Sequence, residues 1–259
     1  MCFVEGIIGV PAVATINWDD QYIHSSDDDL YQIDQTQLHR NAFLMGATAY
    51  VLAFADEKSV PLFAGETFAQ GEKRLGNDLQ AAFRLLQESR NQKDDGWLDA
   101  EALIEQGIQR EVRALNSVRV FAGKDTSAIY GPVKRMKAKE SVLMVDLNWY
   151  YDYLYGHQPG LKGGDSLWLL STKKIPSNPS SLKMYFENRN KVSFRGNLHS
   201  LMRDEVYNFV DGNRSYYDIY KAVRAEQLAA GSWYYGNVTL QDVVGLLDAM
   251  VEAKAITLK

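Results

Sequence analysis

Apolar residues recur at spacings of three and four along much of the chain, which predicts a mainly helical protein with minor β structure. The first long periodic segment follows Asp34, a good N-cap, with Gln37 at the capping-box position. It predicts a helix to Ala55 with one face packed on a sheet, formed by Leu38, Ala42, Met45, Ala49 and Leu52. His39, in the first turn, is predicted to be an ordinary surface residue.

Two further helices are predicted, from about residue 62 to 90 and from about 97 to 121. Pro61 interrupts the pattern before the first of them, and a polar turn at 91–96 separates the two. The simplest interpretation of residues 59–125 is therefore an antiparallel helical hairpin.

Residues 126–198 have a weaker pattern, and four glycine- or proline-containing loops interrupt it, so an irregular, aromatic-rich connector is expected. Short runs at 141–145 and 166–170 suit either strands or single helical turns. The aromatic stretch at 149–157 either flanks a substrate cleft or fills a core, and the abundance of aromatic side chains in cores favours the buried interpretation. His157 has no carboxylate or cysteine at ligand spacing.

The last segment, 199–259, predicts three helices and a terminal β run at 256–258. Ser215 with Asp218, and Thr239 with Asp242, form N-terminal caps of the second and third helices. This order resembles a winged-helix module. Residues 200–259 carry six basic and eight acidic residues, and no Lys or Arg lies between 239 and 253, which argues against DNA binding and favours docking or dimerisation.

Overall charge and composition narrow the class of protein further. The fractions of hydrophobic (46%) and charged (24%) residues are those of an ordinary globular protein. The net charge of -5 argues mildly against a nucleic-acid partner, because phosphate binding requires a clustered basic surface. The one cysteine, Cys2, excludes an internal disulfide and a cysteine zinc site. No apolar stretch reaches the ~18 residues of a membrane span.

The candidate functional residues lie near the start of the chain. A short apolar run from Gly9 to Thr15 predicts a buried strand, and a polar loop follows in which His24 lies among serines and carboxylates. The predicted helix from Asp34 comes next. Open α/β sheets place their sites at such strand ends, so this loop is the candidate site, with Trp18 and Asp20 at its rim.

Gly-Val-Pro-Ala-Val, then Tyr22, then His-Ser-Ser-Asp-Asp-Asp-Leu-Tyr-Gln-Ile-Asp and a helix resemble the end of a di-zinc aminopeptidase catalytic domain. That family is metallopeptidase family twenty-eight, which includes bacterial leucyl aminopeptidases and glutamate carboxypeptidase-like enzymes. The resemblance covers about residues 3–55 and implies that His24 is the last zinc ligand. Asp27, Asp28 or Asp29 could hold the other ring nitrogen of His24, and Asp28 is preferred by its spacing. The resemblance implies Tyr22 as a donor to the tetrahedral intermediate; because Ile23 intervenes, either the loop is one residue longer or that role is lost.

The resemblance implies metal-assisted hydrolysis of a peptide substrate with two zinc ions, of which this chain supplies at most one ligand. Catalytic zinc needs about three protein ligands, so the chain is expected to be the carboxyl-terminal part of a longer enzyme and inactive alone. Residues 1–58 would then be the end of a zinc-peptidase α/β domain. Members of the family are often exported, which implies a periplasmic or secreted location.

A competing hypothesis from a different class fits the same residues. The hairpin and the winged-helix-like module would form a non-catalytic module that binds a protein partner, and the first 30 residues would have no role. If the rest of a doubly wound sheet belongs to the missing part of the enzyme, the first strand and the helix from Asp34 to Ala55 should pack together and leave one sheet edge uncovered, which would favour self-association.

Overall fold

The computed structural model describes residues 6–9, 12, 14–15, 21–90, 96–160 and 166–259. The protein is mainly helical with a small antiparallel sheet, as predicted. The helices are α1 Gln35–Phe54, α2 Val60–Ser89, α3 Trp97–Ser117, α4 Ser127–Tyr155, α5 Ser166–Ser171, α6 Leu182–Arg189, α7 Ser200–Asn208, α8 Tyr216–Ala230, α9 Ser232–Tyr235 and α10 Leu240–Glu252. The strands are β1 Pro176–Ser177 and β2 Thr257–Leu258. None of the described helices is long and apolar enough to cross a membrane.

The predicted helical hairpin is confirmed as α2 and α3. Ala82 and Leu86, late in α2, share a core cluster with Trp97 and Ala100, early in α3, so the two helices run antiparallel. Their other ends meet at Val60 and Val118. The hairpin therefore forms the central unit on which the other long helices pack.

A network of charges joins the middle of the hairpin. The buried Glu111 carboxylate accepts hydrogen bonds from Arg74 at 2.9 and 2.6 Å and from Arg110 at 2.7 Å. Arg110 also donates to Asp78 at 2.8 Å. Burial raises the pKa of Glu111, but the hydrogen bonds and charges of the two arginines outweigh that effect and lower it below its ordinary value.

The expected irregular connector at 126–198 is wrong over its first part, because residues 127–155 form the continuous helix α4. Pro132 lies inside α4 and costs it one backbone hydrogen bond. Ile129, Met136, Leu147 and Tyr151 are buried, and α4 packs along both α2 and α3. The run at 166–170 is likewise helical, as part of α5.

The aromatic stretch at 149–157 divides between the core and the surface. Tyr151 is buried and meets Trp97 edge-on, with ring centroids 5.4 Å apart. Trp149 and Tyr153 point outward and are 61% and 74% exposed. The buried interpretation is therefore correct for Tyr151 and wrong for the other two side chains.

The three predicted C-terminal helices are confirmed as α7, α8 and α10. Both predicted caps form: Ser215 accepts from the Asp218 N–H, and Thr239 accepts from the Asp242 N–H. The terminal β run is the short strand β2, which pairs antiparallel with β1. The likeness to a winged helix stays a prediction.

The C-terminal helices are attached to the hairpin through α8, which lies against α3. Arg224 makes a bidentate ion pair with Asp99, with Nε–Oδ1 and Nη2–Oδ2 distances of 3.0 and 2.5 Å. Lys221 pairs with Glu105 at 2.6 Å. Ala225 is buried in the same cluster as Trp97 and Leu103. Apolar contact and paired charges thus hold the two units together.

The start of the chain differs from its prediction. Gly9, Ala12, Ala14 and Thr15 lie outside any strand, and the other residues of the predicted strand lie outside the described ones. The helix after Asp34 is confirmed as α1, but no residue of α1 is buried. The expectation that α1 packs on a sheet is therefore wrong for this chain, whose described residues form one two-stranded ladder far along the sequence.

Replacing Glu111 with Gln should lower the free energy of unfolding by about 1–3 kcal/mol at neutral pH, because the two arginines lose a buried acceptor. Since the pKa of Glu111 is lowered in the fold, its stabilisation exists above the ordinary glutamate pKa and is lost as the pH falls through the lowered one. The difference between the two proteins, measured by urea denaturation, should therefore shrink in acid.

Glu72→Gln is the matched control. The Glu72 side chain is 43% exposed, against 1% for Glu111, and pairs with Lys139 across α2 and α4. An exposed pair contributes about 0–1 kcal/mol. Equal losses in the two variants would contradict a special role for the buried carboxylate.

Candidate functional site

The predicted ligand His24 lies in a tight turn. The Ser25 N–H donates to the Tyr22 carbonyl at 2.9 Å, and His24 is the third residue of that turn with φ 64°. A positive φ at this position usually selects glycine or asparagine, since a side chain there costs about 1–2 kcal/mol. The His24 side chain is exposed, so no burial of the ring offsets this backbone cost.

The other two predicted site residues lie in the same exposed loop. The Asp28 N–H donates to the Ser25 carbonyl at 3.4 Å, and its side chain lines a pocket of about 160 Å³ against the start of α1. Tyr22 is 39% exposed. No hydrogen bond joins His24 to Asp28 among the described residues. The predicted rim residues Trp18 and Asp20 lie outside the described residues.

The neighbouring carboxylates shape the loop and the start of the helix. Asp29 accepts from the Leu30 N–H at 2.6 Å and begins a short 3-10 turn, Leu30–Gln32. Asp34 accepts from the Thr36 and Gln37 N–H groups at 2.8 and 3.1 Å, which confirms it as the N-cap of α1. The Gln37 side chain donates to Asn41 instead of returning to the cap.

The four histidines do not form a cluster. His39 is exposed on α1, as predicted. His157 is exposed after α4, with Nδ1 2.9 Å from the Gln158 carbonyl. The His199 Nδ1 accepts from the Leu201 N–H at 3.3 Å and caps α7. Within the part of the chain that the structure describes, no three His, Cys, Asp or Glu residues lie together as metal ligands.

Helix α1, next to the loop, has an unusual surface. No charged residue occurs from Asn41 to Ala55. Its large side chains are nonetheless exposed on every side, among them Phe43 at 74%, Leu44 at 57%, Leu52 at 59% and Phe54 at 71%. Between α1 and the first turns of α2 lies an apolar groove of about 460 Å³, which Val51 and Phe63 help to line.

A second concave region, which the sequence did not predict, lies between α3 and α8. It encloses about 290 Å³ and has a mainly apolar lining to which the charged residues Arg110, Arg113 and Glu226 also contribute. Gln106 also lines it, and its buried Oε1 accepts no hydrogen bond from the described residues. The cavity forms where segments that are distant in the sequence pack together, so no local signal identified it.

The Glu226 carboxylate is electrostatically unfavourable in this position. Desolvation by the cavity walls and the nearby Glu205 carboxylate raise the pKa of Glu226 to about 7, against the opposing charge of Arg113. Among the described residues Glu226 makes no hydrogen bond or ion pair.

Comparison with protein-family models, with curated proteins and with solved structures finds no match to this chain.

The raised pKa of Glu226 predicts a pH dependence of stability. A carboxyl with a raised pKa binds its proton more tightly in the fold, so its contribution to stability grows as the pH falls from above 7 towards its ordinary value of 4.5. As the pH rises from about 5 to 8, the free energy of unfolding of wild type should therefore fall relative to that of Glu226→Gln. The side chain remains partly exposed, which limits the expected effect to less than about 1 kcal/mol.

Urea-denaturation midpoints measured across that pH range test this expectation. Glu252→Gln removes an exposed carboxylate at the end of α10 and serves as the control. The same pH profile for wild type and both variants would contradict it.

Proposed function

We propose that this chain is the carboxyl-terminal portion of a zinc-dependent aminopeptidase, with His24 as its last zinc ligand and α1 as the helix that closes the catalytic domain. The observation that carries the proposal is α1. A helix that is apolar on all sides belongs in the interior of a domain, yet α1 is exposed around its circumference and uncharged from Asn41 to Ala55. An α/β zinc-peptidase domain would cover it and supply the remaining zinc ligands.

The geometry of His24 supports the same proposal. Its side chain is exposed, so it is accessible to a ligand, and its left-handed backbone conformation would suit glycine better. Backbone strain of this kind is concentrated at functional positions. Zinc binds neutral imidazole, and a carboxylate such as Asp28 on the other ring nitrogen would fix the tautomer.

The role of this chain in the reaction follows from the residues that it holds. Zinc, when bound, lowers the pKa of water and polarises the scissile carbonyl of the peptide. His24 would occupy one metal position, and Asp28 would orient its ring. The Tyr22 hydroxyl would donate a hydrogen bond to the oxyanion of the tetrahedral intermediate. The described residues do not bring together the roughly three protein ligands that catalytic zinc requires, so the isolated chain should be inactive.

The groove beside α1 favours a second candidate, a non-catalytic protein-interaction module. Its apolar lining and its volume of about 460 Å³ suit an apolar segment of a protein partner as well as they suit a catalytic domain. The coding sequence upstream distinguishes the two candidates. An in-frame His-x-Asp motif and a Glu-Glu pair would support the enzyme, and their absence would support the module.

If α1 is the closing helix of a larger domain, its backbone should be poorly protected in the isolated chain. A helix without tertiary packing is marginally stable in water, and its amides open at little cost in free energy. Hydrogen exchange should be fast over residues 35–54 of the isolated chain and at least ~100-fold slower in the enzyme that contains the remaining zinc ligands. Residues 100–115 of α3, at the centre of the hairpin, serve as the internal reference. Equal protection of α1 in both proteins would contradict the proposal.

The zinc role of His24 is tested in the same enzyme by three substitutions. His24→Ala should cause the largest loss of bound zinc and of peptide hydrolysis, because the metal then has too few protein donors. Asp28→Asn should lower activity by about 10- to 100-fold, as is typical of carboxylates that orient a ligand. His39→Ala, at an exposed position in the polar first turns of α1, should change neither.

Two controls use the isolated chain: one checks that the substitution does not cause misfolding, and the other checks that the chain alone is inactive. In the isolated chain, His24→Ala should change the free energy of unfolding by less than ~0.5 kcal/mol, because the side chain is exposed. The isolated chain with added zinc should hydrolyse no small peptide. Normal zinc content and activity in the His24→Ala enzyme would reject the peptidase proposal and favour the interaction module.

A further inference from the structure

The outward side of α4 carries a regular repeat of residues. Six exposed positions follow one another at alternating spacings of three and four: Arg135, Ala138, Val142, Val145, Trp149 and Asp152. This is the spacing of the a and d positions of a coiled coil, sustained over about 18 residues or ~26 Å of helix. These six residues are called the α4 stripe below.

The α4 stripe is apolar in its middle and uncovered. Val142, Val145 and Trp149 are 55%, 67% and 61% exposed. Tyr153 stacks on Trp149, with centroids 6.1 Å apart, and widens the apolar surface. The opposite side of α4 holds the buried Met136 and Leu147, so the contact of α4 with the hairpin leaves the stripe open.

We propose that the α4 stripe pairs, antiparallel, with the α4 stripe of a second copy of this chain. In an antiparallel coiled coil each a position meets a d position of the other helix. In the central layers Val142 then lies against the partner's Val145. In the outermost layers Arg135 lies against the partner's Asp152. The two-fold symmetry repeats each of these contacts.

The chemistry of the stripe selects this orientation over the parallel one. Antiparallel pairing joins Arg135 to a carboxylate at each end and places Trp149 on the small Ala138. Parallel pairing would oppose two arginines at one end, two aspartates at the other, and two tryptophans between them. Like charges and two bulky rings in one layer are unfavourable, whereas opposite charges and a large–small layer are complementary. The stripe is therefore self-complementary in one orientation.

The pairing surface is small, so we expect a weak dimer. Four apolar layers flanked by two exposed ion pairs bury less area than a standard stable interface, which corresponds to association at micromolar concentrations or above. The inference is independent of the proposed peptidase function, since no residue of the stripe belongs to the His24 loop or to α1.

Sedimentation equilibrium of the purified chain, up to roughly 0.5 mM, tests the association directly. Wild type should form a monomer–dimer equilibrium, and Val145→Glu should abolish it by placing a charge in each central layer. Leu52→Glu, which changes an exposed apolar residue of α1, should leave the dimer intact. A wild-type monomer throughout, or a dimer that Leu52→Glu dissolves and Val145→Glu does not, would overturn the proposal.

Charge reversal at the two ends tests the orientation. Arg135→Glu and Asp152→Lys should each weaken the dimer by about tenfold or more, because every end layer then opposes like charges. The double variant should restore wild-type affinity. Lys137→Glu and Glu140→Lys make the same charge changes at exposed positions of α4 outside the stripe and should have little effect. Circular dichroism checks that all variants keep their helix content.

A parallel dimer would respond differently, because reversing one end exchanges one like-charged pair for another. Single reversals without effect, or a double variant that is no tighter than the singles, would overturn the antiparallel pairing.

Discussion

The buried carboxylate of Glu111 constrains how the central hairpin can close. An unpaired carboxylate inside a protein is costly, so α2 and α3 must meet in the register that brings Arg74 of α2 to Glu111. The same register brings Asp78 of α2 to Arg110, the neighbour of Glu111 on α3. Two glycines make that approach possible. A Cβ at Gly71 would lie 2.9 Å from the Glu111 Oε2, and one at Gly107 would lie 2.6 Å from the Asp78 Oδ2. Helices α4 and α8 pack on the hairpin in this register.

Most of the helices could be predicted from sequence because local chemistry determines where they begin. Asp34, Ser215 and Thr239 each accept backbone N–H groups of the helix that follows, as their side chains predicted. Helix α4 was missed for a physical reason. Its inward side fills the core while its outward stripe is also apolar, so the sequence shows no single hydrophobic face, and Gly131-Pro132 suggests a break. The predicted strand at 9–15 depends on neighbouring strands, which local pattern cannot supply.

The candidate site could be predicted only in part. Residue types and their order identified His24, Tyr22 and Asp28 as members of one loop, and the structure places them there. The left-handed conformation of His24 has no sequence signal, because such turns usually contain glycine or asparagine. The cavity with Glu226 arises where α8 crosses α3, more than a hundred residues apart in the chain. Its raised pKa depends on that crossing and could not be inferred from composition.

The uncovered apolar surfaces of α1 and α4 differ in kind, and the difference indicates what each requires. No charged residue occurs from Asn41 to the C-cap of α1 at Ala55. Over this length α1 is apolar on all sides, which suits the interior of a folded domain. Helix α4 has a narrow stripe that ends in Arg135 and Asp152, and a stripe bounded by charges suits one further helix in one orientation. A domain interior would leave those two charges buried without partners, whereas a single helix would leave most of α1 in water. Each surface therefore excludes the type of contact that satisfies the other.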